Sequence, residues 1–400
     1  MSTATDIPAH VPASLVRDVD IYDLPGCGQD VHLAWKRLQD ESPAALVYTP
    51  RNGGHWIATR GDAVWDLFGD IETFSAKEIS VPRHTTVYPN IPNQSDEPEH
   101  AYYRAIVTRF LTPKVVYTVS EEVRRLAISL IEGFRNRGRC EFVAEFARHL
   151  PMTIFLKLVN LPLEDRPYLM SLADVAVRSG DAAARIDAGR RMHAYLEKWV
   201  AERTVQPGND LLSAIIHGRV GDRPMTREEI FGECSDVMFG GLDTVANMMG
   251  FVAHFLATHP AHRRQLIDAP ERIPQAVEEM LRRFAVASPC RLVPRDVVFH
   301  GVQLKAGDMV VIASPLHGMD ERIWPDPLQV DFDRDVRLHA TFGNGVHRCP
   351  GANLARSEIR IFIEEWLRRI PDFEVETGAR VAGQSGLVSG MTALPLAWPV

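Results

Sequence analysis

Cys349 lies in the run Phe342-Gly343-Asn344-Gly345-Val346-His347-Arg348-Cys349-Pro350-Gly351, directly ahead of a stretch with helical apolar spacing. Glycines at 343, 345 and 351 let a backbone fold closely around a sulfur and aim amide N–H groups at it. A helix amino terminus adds partial positive charge, and together these influences favour a thiolate, a strong soft-metal ligand. Axial ligation of haem iron by that sulfur is the use that fits best. The bland alternative is a buried cysteine before an ordinary helix. The length and residue specificity of F-x-x-G-x-x-x-C-x-G argue against it.

About a hundred residues earlier stands Gly240-Gly241-Leu242-Asp243-Thr244, inside a long apolar helical stretch. Two glycines there each cost a helix about 1 kcal/mol relative to alanine, so something must offset them. Glycines allow a flat ligand to approach the backbone, and an Asp-Thr pair can loosen the hydrogen-bond ladder and hold a water. Alone, the motif reads as a packing pair with a back-bonding threonine; a haem-cysteine motif downstream reverses that. Glu279 and Arg282 share one helix face as E-x-x-R. The same spacing at Glu121/Arg124, Glu122/Arg125 and Glu365/Arg368 reads as surface pairs worth about 0 to 1 kcal/mol.

With these residues in place, the chain resembles the haem-thiolate monooxygenases, the cytochromes P450, and especially their soluble bacterial camphor-hydroxylating branch. The resemblance runs over almost the whole chain: His10-Val11-Pro12, Asn52 to Gly61, Gly240 to Val245, Phe299 to Leu304, and Ile370-Pro371-Asp372-Phe373. It implies haem b with Cys349 as thiolate ligand to the metal, cradled by Phe342, Gly343 and Gly241. It implies that Thr244 hydrogen-bonds the oxygen being activated and its water, that Asp243 links the site to bulk protons, and that Arg178 neutralises Asp243. Glu279, Arg282 and Arg334 correspond to the structural network behind the cysteine. Arg104, Arg291 and His347, assisted by His100, occupy the positions that hold the two propionates, since buried charges need partners.

By the same resemblance Val81 to Ile91, Ile79-Ser80, Val237 and Val286-Ala287 line a small apolar substrate pocket, with Tyr88 placed to donate to a substrate ketone. The segment between Arg83 and Ile91 is shortened and Ser288-Pro289-Cys290 departs from the relative. The expected substrate is therefore a small cyclic terpenoid or norisoprenoid, camphor-like or ionone-like. No G-x-G-x-x-G unit or iron-sulfur cysteine cluster is present, so electrons are expected from a separate [2Fe-2S] ferredoxin and an NAD(P)H-dependent reductase. Arg348, Arg356 and Arg360 surround the cysteine face where an acidic ferredoxin would dock. Two alternatives are a peroxide-driven peroxygenase, which needs no proton relay, and a haem-based sensor or ligand carrier without turnover.

The elements that must position these residues are mostly helical. Helices are expected near 121–136, 160–174 and 181–203, and the longest starts at a Thr226/Glu229 capping box and runs to His259-Pro260. Glu233, Asp236, Asp243, Asn247 and His254 interrupt it, which excludes a membrane span. After Cys349, Ile359, Phe362, Ile363, Trp366, Leu367 and Ile370 recur at three- and four-residue steps, until Pro371 ends the helix. Asn52-Gly53-Gly54 marks a β-hairpin between residues 46 and 58, and a second is expected from Val297 to Ile312. The fold class is mainly α with small antiparallel β-sheets, resembling the family's triangular prism.

The 400 residues, 46% hydrophobic and 24% charged, describe one large core with no linker, so a single catalytic domain over 1–400 is expected. A net charge of -8 without a basic run speaks against nucleic acid as a partner. The polar start Met1 to Pro8 lacks an apolar leader or membrane anchor, pointing to the cytoplasm. Five scattered cysteines, at 27, 140, 234, 290 and 349, fit neither a disulfide framework nor a zinc cluster.

Overall fold

Helices dominate the computed structural model, which describes residues 5–400. Residues 1–4, part of the polar start on which the cytoplasmic expectation rests, lie outside the described residues. The helices that position the site are α1 (Glu99–Thr108), α2 (Pro113–Phe134), α3 (Leu150–Leu158), α4 (Arg166–Arg178) and α5 (Ala182–Val205), followed by α6 (Arg227–Leu242), α7 (Thr244–Thr258), α8 (Ile273–Arg283) and α9 (Ala352–Arg369). Local chemistry sets their starts. Thr112 accepts from the Val115 amide with Pro113 behind it, so α2 begins well ahead of the expected 121. Asp181 caps α5 by accepting from Ala183 and Ala184.

The long helix expected from Thr226 is two helices. Its capping box forms as the sequence indicates, with Glu229 N–H donating to Thr226 Oγ1 at 3.2 Å and Thr226 N–H to Glu229 Oε2 at 2.7 Å. The ladder breaks at Asp243, whose backbone lies at φ -136° and ψ -34°. Thr244 then donates its hydroxyl proton to the Gly240 carbonyl at 3.2 Å. This bond competes with the backbone ladder at the glycine pair, where the helix is weakest.

Strands β1 (Leu46–Thr49) and β2 (His55–Ala58) form the expected hairpin, with Asn52, Gly53 and Gly54 all left-handed at φ 52°, 88° and 78°. The second hairpin is shorter than expected. Only β4 (Val297–Phe299) and β5 (Val302–Leu304) pair with each other, because His300 and Gly301 make a left-handed two-residue turn. The strand β6 (Met309–Ile312) leaves them to join β2 in parallel and β3 (Cys290–Leu292) in antiparallel register, giving a sheet of order β1-β2-β6-β3. All other strand pairs are antiparallel.

Helix α9 packs along α2 and buries Ile359, Phe362, Ile363, Trp366 and Leu367, as its periodicity requires. Trp366 meets Phe142 and Phe146 edge-on, with ring centroids 5.1 and 5.5 Å apart. The E-x-x-R pair Glu365/Arg368 on this helix is not a surface pair. Glu365 is fully buried and collects Arg124, Arg368 and Arg369, so it ties α9 to α2. One hydrophobic cluster holds the sheet with α2, α7, α8 and α9, and a second holds residues of α1 and α3 to α6. No described helix is long and apolar enough to cross a membrane.

Candidate active site

A cavity of about 430 Å³ lies between the two clusters and draws its wall from both, from Val237 and Phe155 on one side to Val286 and Ile359 on the other. Cys349 and Gly351 form one end, and Gly240, Gly241 and Thr244 face it from the α6–α7 break. The cysteine loop is shaped as its glycines suggest. Gly343 and Gly345 are left-handed at φ 70° and 67°, and Cys349 N–H donates to the Phe342 carbonyl at 2.8 Å. Cys349 is the only one of the five cysteines that lines the cavity; the others are buried elsewhere.

The thiol is not held below its ordinary range as the sequence suggests. Burial pushes it up, while the Gly351 amide and the Arg104 and Arg356 guanidiniums pull the other way without prevailing. The glycine pair also divides its work differently from the expectation for Gly241. A Cβ at Gly241 would run into the Phe155 ring of α3, whereas Gly240 has open space. Gly241 is thus required by helix packing, and Gly240 is the glycine that leaves room in the cavity.

Arg104 from α1, Arg291 from β3 and His347 all reach this cavity. No carboxylate pairs with either arginine among the described residues. Arg291 is nearly buried and its side chain reaches only the Cys290 carbonyl, at 2.9 Å. Burial lowers it to about 10 and lowers His347 to about 3, the latter with help from Arg291, His100 and Arg104. Two guanidiniums without a carboxylate partner, one buried and one half-buried, converge on the cavity beside a histidine and fit an anionic group, as the edge of a porphyrin bearing two carboxylates would be. His100 does not line the cavity. Its ring packs tilted behind His347 at 4.2 Å, its Nε2 is without a partner, and its Nδ1 lies 3.2 Å from Glu97.

Behind the cysteine, Glu279 and Arg282 are fully buried and doubly bonded at 2.7 and 2.8 Å, and Arg334 Nε donates to the same carboxylate at 3.1 Å. Arg282 also donates to the Gly318, Pro327 and Gln329 carbonyls, so the three side chains clamp the irregular segment before the cysteine loop. At the break, Asp243 pairs with Arg178 and accepts from Asn247 Nδ2 at 2.6 Å. Arg178 in turn pairs with Asp174, whose side chain is 33% exposed.

A chain of this design has relatives. The family model for cytochrome P450 matches residues 180–383. A probable cytochrome P450 127A1 from Sinorhizobium fredii is 30% identical over 98% of this chain and 97% of its own. The chain is a cytochrome P450. Solved structures similar to this P450 include CYP101J2, 42% identical with TM-score 0.89 over 99% of this chain and 100% of that one. CYP101C1 is 40% identical with TM-score 0.88 at the same coverage. The P450 is therefore a haem-dependent monooxygenase whose cofactor takes a cysteine thiolate as axial ligand.

Other expected residues sort by position. Tyr88, Val237, Val286 and Ala287 line the cavity. Tyr88 stacks on His193 at 4.9 Å and leans on Phe231 at 6.4 Å. Among the three cysteine-side arginines, Arg348 is exposed and Arg360 is partly so, 3.7 Å from Glu364. Arg356 departs from the docking expectation. Its guanidinium is fixed to Glu278 at 2.6 and 3.0 Å and lies over the Phe342 ring, so it braces the cysteine loop from α9.

Sequence reasoning missed three charged residues on the cavity wall: Arg185, Asp236 and Glu358. Glu358, buried on α9 with Oε1 unpartnered, is pushed up by burial to about 8. The available signal was a charge placed on an otherwise apolar helix face. For Asp236 it was read only as evidence against a membrane span.

Proposed function

We propose that this P450 hydroxylates a small cyclic terpenoid or norisoprenoid ketone, using O2 and two electrons delivered by a [2Fe-2S] ferredoxin. The carrying observation is a single apolar-walled cavity with Cys349 at one end and the Asp243–Thr244 break facing it. The resemblance to the camphor-hydroxylating branch supports the terpenoid class. Haem, when bound, supplies the oxygen activation; the whole chain acts as one catalytic unit around it.

In this reading Cys349 would ligate the haem iron through its sulfur, and Arg104, Arg291 and His347 would hold the propionates, with His100 backing His347. Thr244 gives its proton to Gly240, which leaves the hydroxyl oxygen free to accept from a protonated ligand or water in the cavity. Asp243 carries protons inward: its carboxylate is held by Arg178, which reaches the partly exposed Asp174, so turning away from Arg178 would pass a proton from solvent side to cavity. Arg348 and, less strongly, Arg360 remain for an acidic redox partner, acting in the cytoplasm. A peroxygenase has no use for the Asp174–Arg178–Asp243 chain, and a carrier has no use for Thr244.

The test has two arms. The reduced carbonyl adduct of the purified protein is expected to show the far red-shifted Soret band of a thiolate ligand, and Cys349→Ser to lose it. Reconstitution with ferredoxin and reductase should give hydroxylated product from a terpenoid ketone in step with NADH consumed. Product formed only with added peroxide would overturn the ferredoxin reading.

A further inference from the structure

On α6 the cavity-facing residues repeat as one helix face: Asp236, Val237, Gly240 and Gly241, continued by Thr244. Asp236 is the one ionisable member of that face. Its Oδ1 accepts from Asn93 Nδ2 at 2.8 Å, and Asn93 lines the same cavity. Its Oδ2 has no hydrogen-bond partner and no ion pair joins it to Arg104 among the described residues. Burial pushes the carboxyl well above the usual carboxylate range, with Asn93 and Arg104 pulling weakly the other way. A carboxyl kept neutral in an apolar wall is a hydrogen-bond donor.

Position along the helix separates Asp236 from Tyr88. Asp236 is eight residues before Thr244, about 12 Å at 1.5 Å per residue. Tyr88 instead packs against His193 and against Phe231, thirteen residues before Thr244 on the α6–α7 run. A compact molecule whose reacting carbon lies near Thr244 meets Asp236 on the same helix face.

We infer that Asp236, braced by Asn93, is the specificity-determining anchor of the substrate pocket: its free oxygen donates to a single ketone or ether oxygen on an otherwise apolar cyclic substrate. The inference rests on the monooxygenase reading above and names the polar group that its substrate must carry. A leucine here would leave the pocket without a donor on this wall; an amine substrate would demand an ionised carboxylate that the apolar surroundings disfavour.

The test uses the haem-loaded protein and optical titration with matched pairs, camphor with bornane and fenchone with fenchane, each the same skeleton with and without its carbonyl. Wild type is expected to bind the ketones about tenfold tighter than the hydrocarbons, the equivalent of one hydrogen bond. Asp236→Leu erases the preference by weakening only the ketones, and Asp236→Asn, which keeps a donor, retains it. Asn93→Ala lowers the preference by a smaller factor and provides the same readout if the leucine variant loses haem. An unchanged ketone-to-hydrocarbon ratio in Asp236→Leu overturns the anchor while leaving the monooxygenase reading intact. A wild type that binds neither member of any pair removes the substrate reading and the anchor together.

Discussion

Replacing Thr244 by alanine removes the only hydroxyl at the α6–α7 break, and the expected result is uncoupling. Haem content and the carbonyl spectrum stay unchanged, while product per NADH falls on the order of tenfold, the value of one lost hydrogen bond in a barrier, and peroxide accumulates. Unchanged coupling would remove Thr244 from the chemistry. The neighbouring glycines separate cleanly. Gly241→Ala is expected to cost about 1 to 3 kcal/mol by overpacking against Phe155, whereas Gly240→Ala, with open space before it, gains helix propensity and narrows the cavity. Denaturant midpoints of the two variants check this. Residues such as Cys349 and Gly343 were legible in the sequence because their partners lie within ten positions. Asp236, Glu358 and Arg185 were not, since a charge becomes unusual only when distant segments close an apolar wall around it.

Between elements, the network of Glu279, Arg282 and Arg334 joins α8 to the irregular segment that leads to the cysteine loop. Arg282→Ala leaves Glu279 fully buried with Arg334 as its one remaining cation and strips the donor from three carbonyls, which costs about 3 to 5 kcal/mol. Thermal unfolding of the haem-loaded protein should register that loss, and a variant as stable as wild type would contradict it. Gly318 belongs to the same unit, because a Cβ there would overlap the Arg282 carbonyl oxygen. Periodicity revealed α9 in full, and the capping box revealed the start of α6. Neither could show the break at Asp243, where Arg178 arrives from α4 to hold the side chain. The equal spacing of four E-x-x-R pairs was likewise undecidable locally: Glu279 and Glu365 are both fully buried, in unrelated networks.

Across the whole molecule, burial governs the acid response. His32 and His55 are fully buried and lowered to about 4 from 6.5 by burial, in His32 with Arg283 assisting. Above pH 6.5 both states are neutral and nothing is lost; as pH falls toward about 4 the unfolded chain takes up protons that the folded one refuses, costing about 3 kcal/mol per histidine. Urea midpoints should therefore drop across that interval, with a shallower drop in His32→Asn. A flat profile would exclude the effect. The second expected hairpin stops short of Ile312 for a reason of the same scale, since nothing near Met309 announces that the partners of its strand are Trp56 to Ala58. That pairing reaches across some two hundred and fifty positions, with one side of β2 waiting on a strand from the far end of the chain. During synthesis the amino-terminal ribbon must therefore leave the ribosome tunnel with an open hydrogen-bonding edge, vulnerable to mispairing, until the last quarter of the polypeptide has emerged.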